Sequence, residues 1–124
     1  MIVGVGIDLT AVDRMERALG RHGDRFEKRV FTVEECAYCR ARARPAEHFA
    51  ARFAAKEATL KALGVPEGLS WHEMEVAFAP SGRPELILRG VAARAAGERG
   101  VARLHLSLTH DGGQAAAVVV AESA

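Results

Sequence analysis

The stretch His48-Phe-Ala-Ala-Arg-Phe-Ala-Ala-Lys-Glu-Ala-Thr-Leu-Lys-Ala-Leu-Gly64 decides how the rest of the chain is read. Ala dominates it, no Pro or Gly interrupts it, and Gly64 supplies a stop, so it predicts one long helix. At ~3.6 residues per turn it spans about four to five turns. Phe49, Phe53 and Leu60 recur at helical spacing as a bulky apolar stripe. Ala51, Ala55, Ala58 and Ala62 form a second stripe, flat enough to lie close on a sheet or another helix. Glu57 falls between the stripes, where a carboxylate is costly unless a cation meets it. Lys61 lies one turn on, in the favourable Glu-to-Lys order. On the helix alone, Glu57 and Lys61 read as an ordinary surface pair, with Arg52 and Lys56 covering the outside.

Working towards the N-terminus, Thr32-Val-Glu-Glu35 carries a capping-box pattern that opens a further helix, expected to run to about Arg44 and stop before Pro45. From Thr10 to about Arg29 the pattern is helical, with a break at Gly20–Gly23. Arg14, Arg17, Arg21 and Arg25 lie close to one face there, without an interleaved acid, which reads either as solvated surface or as a docking face for something acidic. Before them, Ile2 to Leu9 reads as a strand. Val3, Val5 and Ile7 share one face; Gly4, Gly6 and Asp8 share the other, where bare backbone admits a close neighbour. Asp8 reads equally as a site residue or as a helix cap, with Thr10 and Asp13 as rival caps.

After the long helix come a Gly/Pro loop, a loosely alternating strand Trp71–Ala79, the turn Pro80–Pro84 and a short strand Glu85–Leu88 that closes a hairpin. An Ala-rich helix Val91–Arg99 follows, then strand Arg103–Thr109 and the hairpin turn Asp111-Gly112-Gly113. Ala115–Ala121 is continuously apolar, as expected of a strand buried on both faces. The whole predicts a single α+β domain over residues 1–124, with mostly antiparallel sheet packed on the long Ala-rich helix.

Composition narrows the function. With 124 residues there is room for one core and one domain. A net charge of +1 argues against a general nucleic-acid binder. No apolar run approaches the ~20 residues of a membrane span. No basic region precedes the apolar start, so no signal peptide is expected and the cytoplasm is the expected location. Cys36 and Cys39 cannot alone close a zinc site, and a predicted helix is the wrong setting for thioredoxin-like chemistry. Trp71-His-Glu-Met-Glu75 lacks the second His of a zinc protease, and Val3-Gly-Val-Gly6 lacks the third Gly of a dinucleotide fingerprint. His110 ends a strand beside hydroxyl residues, where it could bind phosphate or move a proton, or be a plain turn residue. His22, His48, His72 and His105 have no comparable context. The remaining candidate is a hard-metal site pairing Asp8 with Glu57, with Lys61 about one turn away for a phosphate oxygen.

Three motifs, in order, resemble a known family: Gly4-Val-Gly-Ile-Asp8 followed by Arg14; Phe49-Ala-Ala-Arg-Phe-Ala-Ala-Lys-Glu-Ala-Thr-Leu-Lys-Ala-Leu-Gly64; and Ser107-Leu-Thr-His110. The chain resembles, from Met1 to Glu122, the bacterial holo-[acyl-carrier-protein] synthases, the small trimeric class of 4′-phosphopantetheinyl transferases. One departure is the short loop between Gly64 and Trp71, where family members often carry a longer Gly-rich stretch. The resemblance implies transfer of 4′-phosphopantetheine from coenzyme A to a serine of apo acyl carrier protein, for fatty acid biosynthesis. It implies Mg²⁺ on Asp8 and Glu57, Lys61 at the phosphates, and His110 as a coenzyme A contact, with Arg52 and Lys56 as further coenzyme candidates. It implies carrier-protein docking at Arg14, extended by Arg17, Arg21 and Arg25, and a homotrimer with sites between subunits. Either Glu57 or a metal-bound water would take the serine proton.

Overall fold

The computed structural model describes residues 1–21 and 23–124. Strand β1 (Ile2–Ala11) leads into helices α1 (Val12–Arg21), α2 (Gly23–Val30), α3 (Val33–Arg40) and α4 (Pro45–Ala62). A 3₁₀ turn (Trp71–Glu73) precedes the hairpin β2 (Met74–Phe78) and β3 (Pro84–Leu88). Helix α5 (Gly90–Glu98) and the long hairpin β4 (Val101–Asp111) and β5 (Gln114–Ser123) complete the chain. β1, β5 and β4 form one antiparallel sheet in that order, and β2 and β3 form a second. This is the expected α+β class.

The long helix is the hub of the core, and it is longer than expected. It starts at Pro45, whose missing N–H costs nothing in the first turn, while α3 stops early at Arg40. Its small-residue stripe lies on β1. A Cβ added at Gly6 would stand 1.8 Å from the Ala58 carbonyl oxygen, and one at Gly4 would stand 2.0 Å from that of Ala62. The bare face of β1 is therefore taken by α4 of the same chain, so it is no support for contact between subunits. Phe49, Ala54, Ala55 and Ala58 are fully buried and meet Ala115, Ala117, Val119 and Ala121 of β5 across two linked clusters.

Two further expectations change, and a third touches a residue outside the described ones. Thr10 and Ala11 extend β1 by ladder pairing with Ala115 and Gln114, so α1 begins only at Val12. The expected break at Gly20–Gly23 falls between α1 and α2 and includes His22, which lies outside the described residues. β5 is not covered on both faces: its residues alternate buried and half-buried, because α4 is the helix that packs on this strand and it packs on one side. The opposite side of β1 presents Val3, Val5, Ile7 and Leu9 to solvent. The Gly112–Gly113 turn forms as expected, with positive φ at both residues (58° and 79°), which suits a tight hairpin.

Candidate active site

Asp8 shares a face with Gly4 and Gly6, so the contact that presses β1 onto α4 also aims Asp8 at the helix. Asp8 and Glu57 line one cavity of about 430 Å³, together with Thr10, Arg14, Met15 and Phe53. Thr10 donates its hydroxyl to Asp8 Oδ2 at 3.3 Å. Asp8 caps no helix; the first N–H of α1, from Val12, goes to the Gly113 carbonyl at 2.9 Å. Lys61 does not turn back to Glu57. Its Nζ donates to the Ile7 carbonyl at 2.8 Å and lies 3.3 Å from Asp8 Oδ1. Burial pushes the Glu57 carboxyl up, Asp8's charge adds to this, and Lys61 opposes it. Two carboxylates thus share a cavity, with a half-exposed lysine on one of them, and the carboxylate pair suits a hard cation completing its shell with non-protein oxygens. Among the described residues no group of three or more His, Cys, Asp or Glu gathers, so the protein share of such a shell is small.

Arg14, Arg17 and Arg21 are exposed on α1 and Arg25 is exposed on α2, while Met15 anchors α1 inside. Among the described residues none of the four is in an ion pair. Arg14 touches the Asp8–Glu57 cavity, so the arginine row starts at its rim.

The remaining site residues lie elsewhere. His110 ends β4 with its Nδ1 3.2 Å from Glu47 Oε2 and its ring beside that of His48. His48 and Glu57 are nine residues apart on α4, about 13 Å along its axis. Arg52 and Lys56 do not cover the outside: they are 2% and 0% exposed. Arg52 lies over the Tyr38 ring at 4.2 Å and lines a separate groove with Phe78 and Ile87; its Nε has no partner. Lys56 Nζ meets Glu35 Oε1 at 2.7 Å, the same carboxylate that closes the α3 capping box. Sequence reading saw Glu35 only as a local cap. The available signal was Lys56 itself, set between Ala55 and Ala58 on a helix with little polar surface. Cys36 and Cys39 lie in α3 as free thiols that burial pushes up to about 11 and about 12, so they stay protonated.

A family model described as the 4′-phosphopantetheinyl transferase superfamily matches residues 4–119. The chain belongs to this family. A holo-[acyl-carrier-protein] synthase from Anaeromyxobacter dehalogenans (strain 2CP-C) is 52% identical over 127 residues, covering 100% of this chain and 98% of the relative. The crystal structure of the Neisseria meningitidis holo-[acyl-carrier-protein] synthase superposes with a TM-score of 0.86 at 33% identity, covering 99% of this chain and 100% of the other. The Helicobacter pylori enzyme of the same name, in complex with coenzyme A, gives a TM-score of 0.82 at 30% identity, covering 95% and 99%. The family's architecture and this chain's agree over essentially their whole lengths.

Proposed function

We propose that this chain is a holo-[acyl-carrier-protein] synthase: it moves 4′-phosphopantetheine from coenzyme A to a serine of apo acyl carrier protein and releases adenosine 3′,5′-bisphosphate, in service of fatty acid biosynthesis. The observation that carries the reading is the meeting of Asp8 and Glu57 at one cavity, with Lys61 on Asp8, in a chain of this family. Asp8 and Glu57 would hold Mg²⁺, which when bound neutralises charge on the pyrophosphate. Lys61, half exposed, swings from Ile7 and Asp8 to a phosphate oxygen and stabilises the charge that builds as the phosphorus–oxygen bond breaks. Either Glu57 or a water on the metal would take the serine proton as the serine oxygen attacks phosphorus. Arg14 at the cavity rim, followed by Arg17, Arg21 and Arg25, receives the acidic carrier protein.

His110 and Arg52 are proposed contacts for the coenzyme bound against a neighbouring copy, since each lies away from the carboxylates of its own chain. His110 is half exposed beside Glu47; Arg52 lies over the Tyr38 ring with its Nε buried and unpartnered. That arrangement needs an assembly, and the apolar strip Val3, Val5, Ile7 and Leu9 supports a homotrimer. Among the described residues no helix is long and apolar enough to cross a membrane; we place the enzyme in the cytoplasm. The test is mass spectrometry of apo acyl carrier protein incubated with the protein, coenzyme A and Mg²⁺, with and without chelator. One added phosphopantetheine, lost with chelator, is the expected result. Gain despite chelator would remove the metal role of Asp8 and Glu57. No gain on several carrier proteins would favour a binding module without catalysis.

A further inference from the structure

Lys56 is the neighbour of Glu57 on α4 but points about 100° round the helix from it, into the core. Its side chain and that of Glu35 are both 0% exposed, with Lys56 Nζ 2.7 Å from Glu35 Oε1. The ammonium also donates to the carbonyls of Trp71 at 3.0 Å and Met74 at 2.5 Å, so its three protons have three acceptors. Glu35 accepts from Thr32 N at 2.9 Å and from Val76 N at 2.8 Å. A buried pair this complete is weak grounds for stability, because apolar residues of similar volume commonly serve as well or better. What the pair does that an apolar contact cannot is fix direction.

The segment it fixes leads back to the cavity. Lys56 holds the backbone at both ends of the 3₁₀ turn Trp71–Glu73. The Trp71 ring packs on Phe53 with centroids 5.4 Å apart, and Phe53 is a wall of the Asp8–Glu57 cavity. We propose that the Lys56–Glu35 pair is a positioning element of the transfer site, setting Trp71 and through it the Phe53 wall beside Asp8 and Glu57. Lys56 touches no substrate; it acts through Trp71. The activity arm of this proposal rests on the transferase reading above.

Trp71 is the only tryptophan in the chain, so intrinsic fluorescence reports its surroundings alone. The test compares wild type with the double variant Glu35→Gln/Lys56→Met, which keeps volume and an acceptor for Val76 N but removes both charges and the donor to Trp71. Circular dichroism and Tm are expected to stay near wild type. Trp71 emission is expected to shift, and kcat to fall about 10- to 100-fold with KM for coenzyme A within about threefold, as small misplacement of reacting groups commonly costs. Wild-type kcat with wild-type emission would overturn the proposal. So would a fall in kcat that follows loss of folded protein with emission unchanged, which is a structural role only. Should the double variant not fold, Lys56→Arg, which keeps charge but not the compact three-way donor, is read by the same two signals. A wild-type protein without transferase activity would sink the functional reading instead, and the emission shift would still decide whether Lys56 sets Trp71.

Discussion

The two faces of β1 come from alternating residues of one strand, and they are built on opposite plans. Its inner face carries Gly4 and Gly6, which let α4 approach to backbone contact, while Val119 of β5 and Leu104, Leu106 and Leu108 of β4 supply apolar bulk on the same side of the sheet. The outer face carries the larger side chains, and it is the one left open: Val5, Ile7 and Leu9 are 58%, 66% and 63% exposed. If burying apolar volume within one chain were the whole design, the large residues would face inward. Their placement outward assigns them to a second surface, and the inner face is specialised for closeness, which is what aims Asp8 at Glu57.

Three substitutions break or sharpen this contrast. The largest effect is expected at Gly6→Val, since its Cβ would lie 1.8 Å from a helix carbonyl that cannot yield without moving α4. A loss above about 4 kcal/mol, or no folded protein, is expected from urea unfolding. A loss below about 1 kcal/mol would mean that α4 does not rest on β1 as described. One residue on, Ile7→Glu is expected to leave the circular dichroism intact while light scattering falls from the mass of the proposed trimer to that of single chains. A trimer that survives the charge would move the assembly surface elsewhere. The smallest effect is expected at the rim of the outer face, where Glu122 Oε1 lies 2.9 Å from His105 Nε2 and 3.7 Å from Arg103 Nε. The His105 hydrogen bond first, and then the Arg103 charge, hold the Glu122 carboxyl below its usual 4.5. Its folded pKa is therefore below the unfolded one, so its contribution is present above about pH 4.5 and fades as pH falls through the lower folded value. Tm curves of wild type and Glu122→Gln should differ slightly at pH 7 and converge in acid. Divergence on acidification would refute the pairing.

Much of this was legible from local pattern. The long helix, the Thr32–Glu35 cap, the bare Gly4/Gly6 face and both hairpins follow from propensity, capping and alternation, which act over a few residues. The pairing of Asp8 with Glu57 was a candidate from residue chemistry, strengthened by the family resemblance, because two residues that far apart in sequence carry no mark of contact. The misreadings share one cause. Arg52 and Lys56 are charged, so periodicity assigned them to the surface; their burial depends on Tyr38 and Glu35, partners that arrive from α3. Lys61 matched the spacing for a pair with Glu57, yet β1 passes close enough to offer it a carbonyl and Asp8 instead. The uncovered side of β5 is also invisible locally, since continuous apolarity reads the same whether the second cover comes from this chain or another.

The carboxylate of Glu35 has a consequence for how the chain reaches this structure. It closes a cap with Thr32 over 3 residues and holds Val76 N over 41. The short contact pays little loop-closure entropy and can form as soon as α3 does; the long one must wait for the hairpin to arrive. An early helix end thus already holds, in the right orientation, the acceptor that the distant strand will need. Folding kinetics should show this as an α3 start formed in the transition state while the Val76 contact is not, with Thr32→Ala slowing folding and the β2 end governing unfolding.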